Sequence, residues 1–244
     1  MAAIYLIRHG QASFGSADYD KLSAKGCNQA NILGASWQLR PKPKKYYCGD
    51  LLRHEQTLSH FIEGHKGIVT PKIIHSGFNE FDHVDILHKY NDKWSDFANM
   101  TYEVNQLTDP SKTIKSEFSN ALNRWLFEGK DHEYKESWPQ FKMRCIRALR
   151  DVIEQELAQN KSVVATERTQ NDAKDILVFT SGGTISVIIQ HILQLNDQQM
   201  LAINQQTRNT SVTKLLFSGD KLSVDYINNY SHLERLGDEW VTFR

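Results

Sequence analysis

The sequence predicts an α/β fold, specifically a three-layer α/β/α sandwich with a mostly parallel central sheet and a helical cap insertion. Three observations carry that expectation. Short, continuously apolar runs at 3–7 (AIYLI) and 176–180 (ILVFT) read as strands covered on both faces, as in a parallel sheet. Strand-like runs are followed by stretches with helical spacing, the alternation from which parallel sheets are built. From about 84 to 137 polar residues alternate irregularly with aromatics, so an insertion is expected there.

The elements follow in order. After the first strand, Asp20 to Gly26 (DKLSAKG) reads as a turn and a helix entry, with Ser23 as N-cap and Ala30, Leu33 and Trp37 on one face. Pro41 and Pro43 end that helix. Lys45 to Gly49 (KYYCG) is a second strand, Leu51 to Ile62 a second amphipathic helix, and Ile73 with Ile74 a third short strand. The insertion, Val84 to Ser137, is expected to be mostly helical; it carries Tyr90, Trp94, Phe97, Tyr102, Trp125 and Phe127. Aromatics at such spacing are more often core, but Tyr90, Trp94 and Trp125 are candidates for the mouth of a pocket.

Phe141 to Leu157 has helical spacing, and Lys161 to Asp175 is a charge-mixed loop leading into the strand Ile176 to Thr180. A helix is expected over Thr184 to Leu195. SVTKLLF and LSVDYI, joined by Ser218-Gly-Asp, read as a hairpin. The whole chain, 1–244, is read as one domain with its cap at about 84–137.

Lysine plus arginine and aspartate plus glutamate both number 29, so no global field draws the chain to nucleic acid or to an anionic membrane. No stretch has the length and apolarity of a membrane span, and MAAIYLIRHG is too short in its apolar run for a signal peptide; a cytoplasmic location is expected. Cys27, Cys48 and Cys145 are an odd number without CxxC spacing, which points to reduced structural thiols rather than disulfides or zinc.

The chemistry gathers where strands open into loops. Arg8, His9 and Gly10 follow the first strand, the position at which α/β sheets build ligand sites. Arg8 offers a planar fork suited to a tetrahedral anion, His9 a nitrogen that is nucleophilic or proton-accepting near neutral pH, and Gly10 a backbone that a ligand can approach. Arg53, in Gly49-Asp-Leu-Leu-Arg-His-Glu-Gln-Thr, follows the second strand and should reach the same sheet end. Two arginines can then share one phosphoryl group.

With RHG at 8–10 and Leu51-Leu-Arg53-His-Glu-Gln56-Thr57, the chain resembles the histidine phosphatase superfamily, the group that contains cofactor-dependent phosphoglycerate mutase. The similarity extends through Leu22-Ser23, Gly26, Gln29-Ala30, Phe78-Asn-Glu80-Phe-Asp, Ile176 to Ile185 and Arg208-Asn-Thr-Ser-Val-Thr. It implies a two-step phosphoryl transfer: His9 attacks phosphorus, Glu80 protonates the leaving oxygen, and water hydrolyses the phosphohistidine. It also implies that Arg8 and Arg53 hold the equatorial oxygens, with no metal or organic cofactor called for. The substrate would be a phosphorylated small molecule or a phosphoprotein.

Two departures matter. The family's second catalytic histidine stands after the strand, before a glycine pair, and here that place is Ser181, followed by Gly182 and Gly183. Gly15 likewise stands where family members place a phosphate-contacting amide. Losing one preorganised donor costs on the order of 100- to 1000-fold in turnover, so slow hydrolysis is expected. Ser181, Gly182 and Gly183 still precede a helix whose N–H groups and dipole favour an anion. His54, His83 and His232 are candidates for the missing donor, though a lone histidine is more often solvated or structurally satisfied.

Two rival readings stand beside this one. A strand, then serine, then a glycine-rich turn resembles the nucleophile elbow of an α/β-hydrolase, with Asp197 or Asp225 and His232 completing a triad in chain order; glycine is absent two residues before Ser181, at Phe179. Alternatively the pocket binds a phosphorylated ligand or partner without turnover. Mutase activity is less expected than hydrolysis, because the middle segment offers no basic cluster to retain a phosphoryl group.

Overall fold

A computed structural model describes residues 2–13, 20–67, 70–95, 102–103, 106, 109–162, 175–219 and 221–243. Its sheet comprises β1 (Ala2–Arg8), β2 (Lys45–Cys48), β3 (Lys72–Ile74), β4 (Ile176–Thr180), β5 (Val212–Ser218) and β6 (Lys221–Asn229), in the order β3-β2-β4-β1-β5-β6. β3, β2, β4 and β1 run parallel, while β5 is antiparallel to both β1 and β6. The sheet is mostly parallel, as expected. Arg8 pairs with Thr180 and Cys48 with Phe179, so three strands end level and their following loops share one edge.

The layers follow from side-chain alternation along each strand. Ala3, Tyr5, Ile7, Leu177 and Phe179 face one way and join Leu33, Trp37, Leu58 and Phe61 of α1 (Ala24–Trp37) and α2 (Leu52–His65). Ile4, Leu6, Ile176 and Val178 face the other way, onto Leu149 and Val152 of α5 (Trp138–Ser162) and Ile185, Ile188 and Ile189 of α6 (Gly182–Leu193). Truncating such a fully buried ring as Phe61 to alanine costs about 3–5 kcal/mol. Strands covered on both faces explain the unbroken apolar runs.

Ser23 caps α1 as expected, its hydroxyl accepting the Gly26 N–H at 3.0 Å. The α1–α2 contact is backbone to backbone: a Cβ on Gly34 would lie 2.0 Å from the Phe61 carbonyl oxygen, and one on Gly64 2.0 Å from that of Asn31. This packs the last turns of α2 directly on α1. α6 begins at Gly182, two residues earlier than the spacing suggested, because first-turn positions need no intrahelical N–H acceptor. α5 likewise runs beyond 141–157 at both ends.

The chain divides into two compact units, Met1–Glu80 with Cys145–Arg244, and Phe81–Arg144. The second contains α3 (His83–Tyr90) and α4 (Pro110–Phe127). Within it Trp125 packs on Phe81, Trp138 and Phe141 at ring separations of 5.2, 5.3 and 5.8 Å, and Trp94 on Leu87, Tyr90 and Ile114. Tyr90 donates its hydroxyl to Glu117 at 2.9 Å. Of the three aromatics considered for a pocket mouth, Trp94 and Trp125 are buried within this unit and Tyr90 is half-buried. Phe97, most of the loop before β4, and Phe14 and Gly15 lie outside the described residues. Among the described residues, no helix is long and apolar enough to cross a membrane.

Candidate active site

The loop after β1 is pinned from three sides. His9 donates its backbone N–H to Thr180, at the end of β4, at 2.9 Å, and Asn209 Nδ2 donates to the His9 carbonyl at 3.1 Å. Gly10 donates its N–H to Thr57 Oγ1 at 3.0 Å, and Thr57 in turn donates to the Arg53 carbonyl at 2.6 Å. β1, β4 and the first turns of α2 are thus tied together at one point. The Gly10 N–H is thus engaged, and a Cβ on Gly10 would lie 2.4 Å from the Gly26 carbonyl oxygen. The glycine lets α1 approach.

His9 is buried, and its Nδ1 lies 2.7 Å from the Gly10 carbonyl. A carbonyl only accepts, so Nδ1 carries the proton and Nε2 keeps a lone pair. Burial first, then the Arg53 and Arg8 guanidinium groups, hold the imidazole well below its usual range, so it is neutral at pH 7. Both arginines therefore act on His9. Arg8 also donates through Nη1 to the Thr207 carbonyl, and a Cβ on Gly182 would sit 3.5 Å from its Nε. Arg53 pairs with Asp20 at 2.5 Å, a partner that sequence reading missed because nothing in the spacing marks it.

Glu80 reaches the same place. Thr180 Oγ1 donates to the Phe78 carbonyl at 2.5 Å and Thr184 Oγ1 to that of Asn79 at 2.9 Å, stitching the segment before Glu80 to the β4–α6 junction. Glu80 Oε2 then accepts the Gly183 N–H at 3.0 Å. The helix terminus expected to receive an anion is occupied, at Gly183, by the protein's own carboxylate.

Ser181 is fully buried between β4 and α6, in the N-cap position, yet its hydroxyl caps nothing. Instead it lies 2.6 Å from His54 Nε2. His54, also fully buried, stands 5.8 Å from His9 between ring centroids. The other candidate donors are elsewhere: His232 Nε2 meets Thr210 Oγ1 at 3.0 Å, and His83 opens α3 in the second unit. The hydrolase triad does not assemble either, since Asp197 accepts from Gln190 at 2.6 Å and Asp225 pairs with Lys214 at 2.8 Å.

The sequence matches the histidine phosphatase superfamily (branch 1) over residues 4–106 and 92–230. The chain belongs to that superfamily. No curated protein matches it significantly. Among solved structures, Bacillus stearothermophilus YhfR aligns with a TM-score of 0.63 at 16% identity, covering 95% of this chain and 99% of that one. Phosphoglycerate mutase from Bacillus anthracis gives 0.61 at 18%, covering 95% and 94%. The mycobacterial glucosyl-3-phosphoglycerate phosphatase gives 0.61 at 18%, covering 93% and 99%. At such identities these show a shared fold.

Arg8, His9, Arg53, Glu80 and Ser181 to Gly183 lie together at one sheet edge within one unit. The quoted motif residues mostly build it: Gln29 Oε1 accepts the Gln11 N–H at 3.0 Å, and Gln56 Oε1 that of Leu22 at 2.8 Å. Among the described residues no cluster of His, Cys, Asp and Glu is placed to hold a metal ion. Cys27 and Cys48 are free thiols, and burial pushes the Cys48 thiol up to about 12, which leaves it inert.

Proposed function

We propose that the chain is a phosphomonoesterase that works through a phosphohistidine on His9. The hydrogen bond between Nδ1 and the Gly10 carbonyl carries this reading, because it fixes the neutral tautomer whose Nε2 lone pair is available to attack. As the Nε2–P bond forms, the ester P–O bond breaks and its oxygen takes a proton from Glu80. The imidazole becomes cationic, and the Gly10 carbonyl opposite Nδ1 stabilises it. Water then attacks phosphorus, gives its proton to the Glu80 carboxylate, and releases inorganic phosphate with neutral His9 restored.

Arg8 and Arg53 supply the charge that such a transfer needs, so the chemistry asks for no metal or organic cofactor. Ser181, standing where the superfamily resemblance places a histidine, has a shorter and uncharged side chain, and turnover is expected to be slow. The substrate class is a phosphorylated small molecule or phosphoprotein. The same serine favours a second reading, a catalytically impaired homologue that binds a phosphorylated ligand or partner.

One experiment separates them. Phosphate release from a panel of phosphomonoesters is compared between wild type and His9→Ala, with acid-quench trapping of the enzyme. Release that requires His9, with an acid-labile phosphoenzyme, supports the phosphatase. Binding of phosphorylated ligands without release from any of them supports the second reading.

A further inference from the structure

His54 has no part in the mechanism above, yet it is the second imidazole beside His9, at 5.8 Å between ring centroids. It follows Arg53 directly in α2, so the turn that carries a phosphoryl-holding guanidinium also carries this ring. Its slot is built for it. A Cβ on Gly49 would lie 2.3 Å from His54 Nδ1, so the ring fits only because residue 49 is glycine.

The same contact fixes the tautomer. The bond that would lead to a Cβ is a Cα–H bond in glycine, so Gly49 presents a C–H to Nδ1, which has no hydrogen-bond partner among the described residues. A lone pair tolerates a C–H, whereas an N–H there would face another hydrogen and find no acceptor. The proton therefore sits on Nε2, and it donates to Ser181 Oγ at 2.6 Å. Burial and the Arg53 charge keep the ring neutral, which leaves it this one N–H. Having accepted it, the Ser181 hydroxyl must donate its own proton elsewhere.

We propose that His54 and Ser181 together replace the missing second histidine, His54 Nε2–H orienting the Ser181 hydroxyl so that its proton reaches a phosphoryl oxygen at His9. Ser181 is then the group that touches substrate and His54 a positioning residue acting through it. The histidine has moved from the end of β4 to the start of α2. This rests on the phosphatase reading of His9. It also means that an imidazole at 181 would need the space that His54 fills.

The test is a swap, read as kcat and KM for p-nitrophenyl phosphate. His54→Ala and Ser181→Ala should each lower kcat by roughly 100- to 1000-fold with little change in KM, and the double alanine variant should be no worse than either, as for groups that act as a unit. Ser181→His alone should gain nothing, because it collides with His54. His54→Ala/Ser181→His, which puts one imidazole back and vacates its space, should recover to wild-type kcat or above. His54→Gln, whose amide N–H has similar reach, should recover part.

A filler role for His54 would not give rescue by relocation. Wild-type kcat in His54→Ala overturns the proposal. So does a double variant His54→Ala/Ser181→His no faster than Ser181→Ala, a comparison that holds even where His54→Ala alone fails to fold. Should His9→Ala turn over as fast as wild type, the phosphatase reading falls and takes this with it; should His9 be required and the swap be silent, only the present proposal falls.

Discussion

Glu80 Oε2 accepts the Gly183 backbone N–H at 3.0 Å, which seats the proposed acid–base carboxylate on the N-terminal end of α6. Glu80→Gln keeps an acceptor for that N–H but has no proton to give. For an alkyl phosphate, kcat/KM, which reports the phosphorylation step alone, should fall about 100- to 10,000-fold, the usual worth of a positioned acid. For p-nitrophenyl phosphate, whose leaving group departs without a proton, the loss should be far smaller. Equal losses on both substrates would remove Glu80 from the acid role.

His9 is neutral because burial and two guanidinium groups oppose its protonation. The acid limb of kcat/KM should therefore lie below about 6.5, the ordinary histidine value, with the nucleophile fully available above it. Arg53→Gln removes one opposing charge and should move that limb upward. A pH–rate profile of the two proteins measures it, and a limb that stays put or moves down contradicts the stated cause.

His232, buried behind Thr210, is pushed down to about 4. Its folded value lies below its unfolded one, so the unfolded chain binds the extra proton and stability falls as pH drops from about 6.5 towards 4. At roughly 1.4 kcal/mol per unit, this one residue contributes up to about 3 kcal/mol of that loss. Urea unfolding at neutral and acid pH should show a shallower dependence in His232→Asn than in wild type. An equally steep one would place the acid sensitivity elsewhere.

Gly49→Ala sets a methyl group 2.3 Å from His54 Nδ1 and 2.7 Å from Asn79 Oδ1. Overpacking of this kind costs about 1–3 kcal/mol. Most of that cost should vanish when His54→Ala is added, so a double-mutant cycle by denaturant unfolding should give a strong coupling. Additive losses would mean that the methyl clashes with something other than the ring.

Much of this fold is legible in the chain because its central strands are covered on both faces. AIYLI and ILVFT are apolar without interruption, and that signal survives without tertiary information. Ser23 is legible for a local reason, since a cap bonds within three residues. Contacts that depend on where the chain returns are not. Asp20 on Arg53, Asn209 on the His9 carbonyl and His54 against Ser181 join positions with no shared periodicity. One signal was present: a glycine at 49 and a histidine at 54 stand in the segment that carries Arg53, where an imidazole has chemistry within reach.

β1 finds its sheet neighbours only in β4 and β5, and the side chain that clamps the His9 carbonyl, Asn209, comes 200 positions later. During synthesis, at roughly 5–20 residues per second, the strand leading into His9 emerges some 10 to 40 seconds before its clamp exists. For that interval AIYLI is an apolar segment with open edges on both sides, a target for chaperones and for misassembly with other nascent chains. The nascent polypeptide thus holds His9 in its clamped position only as its last third is made.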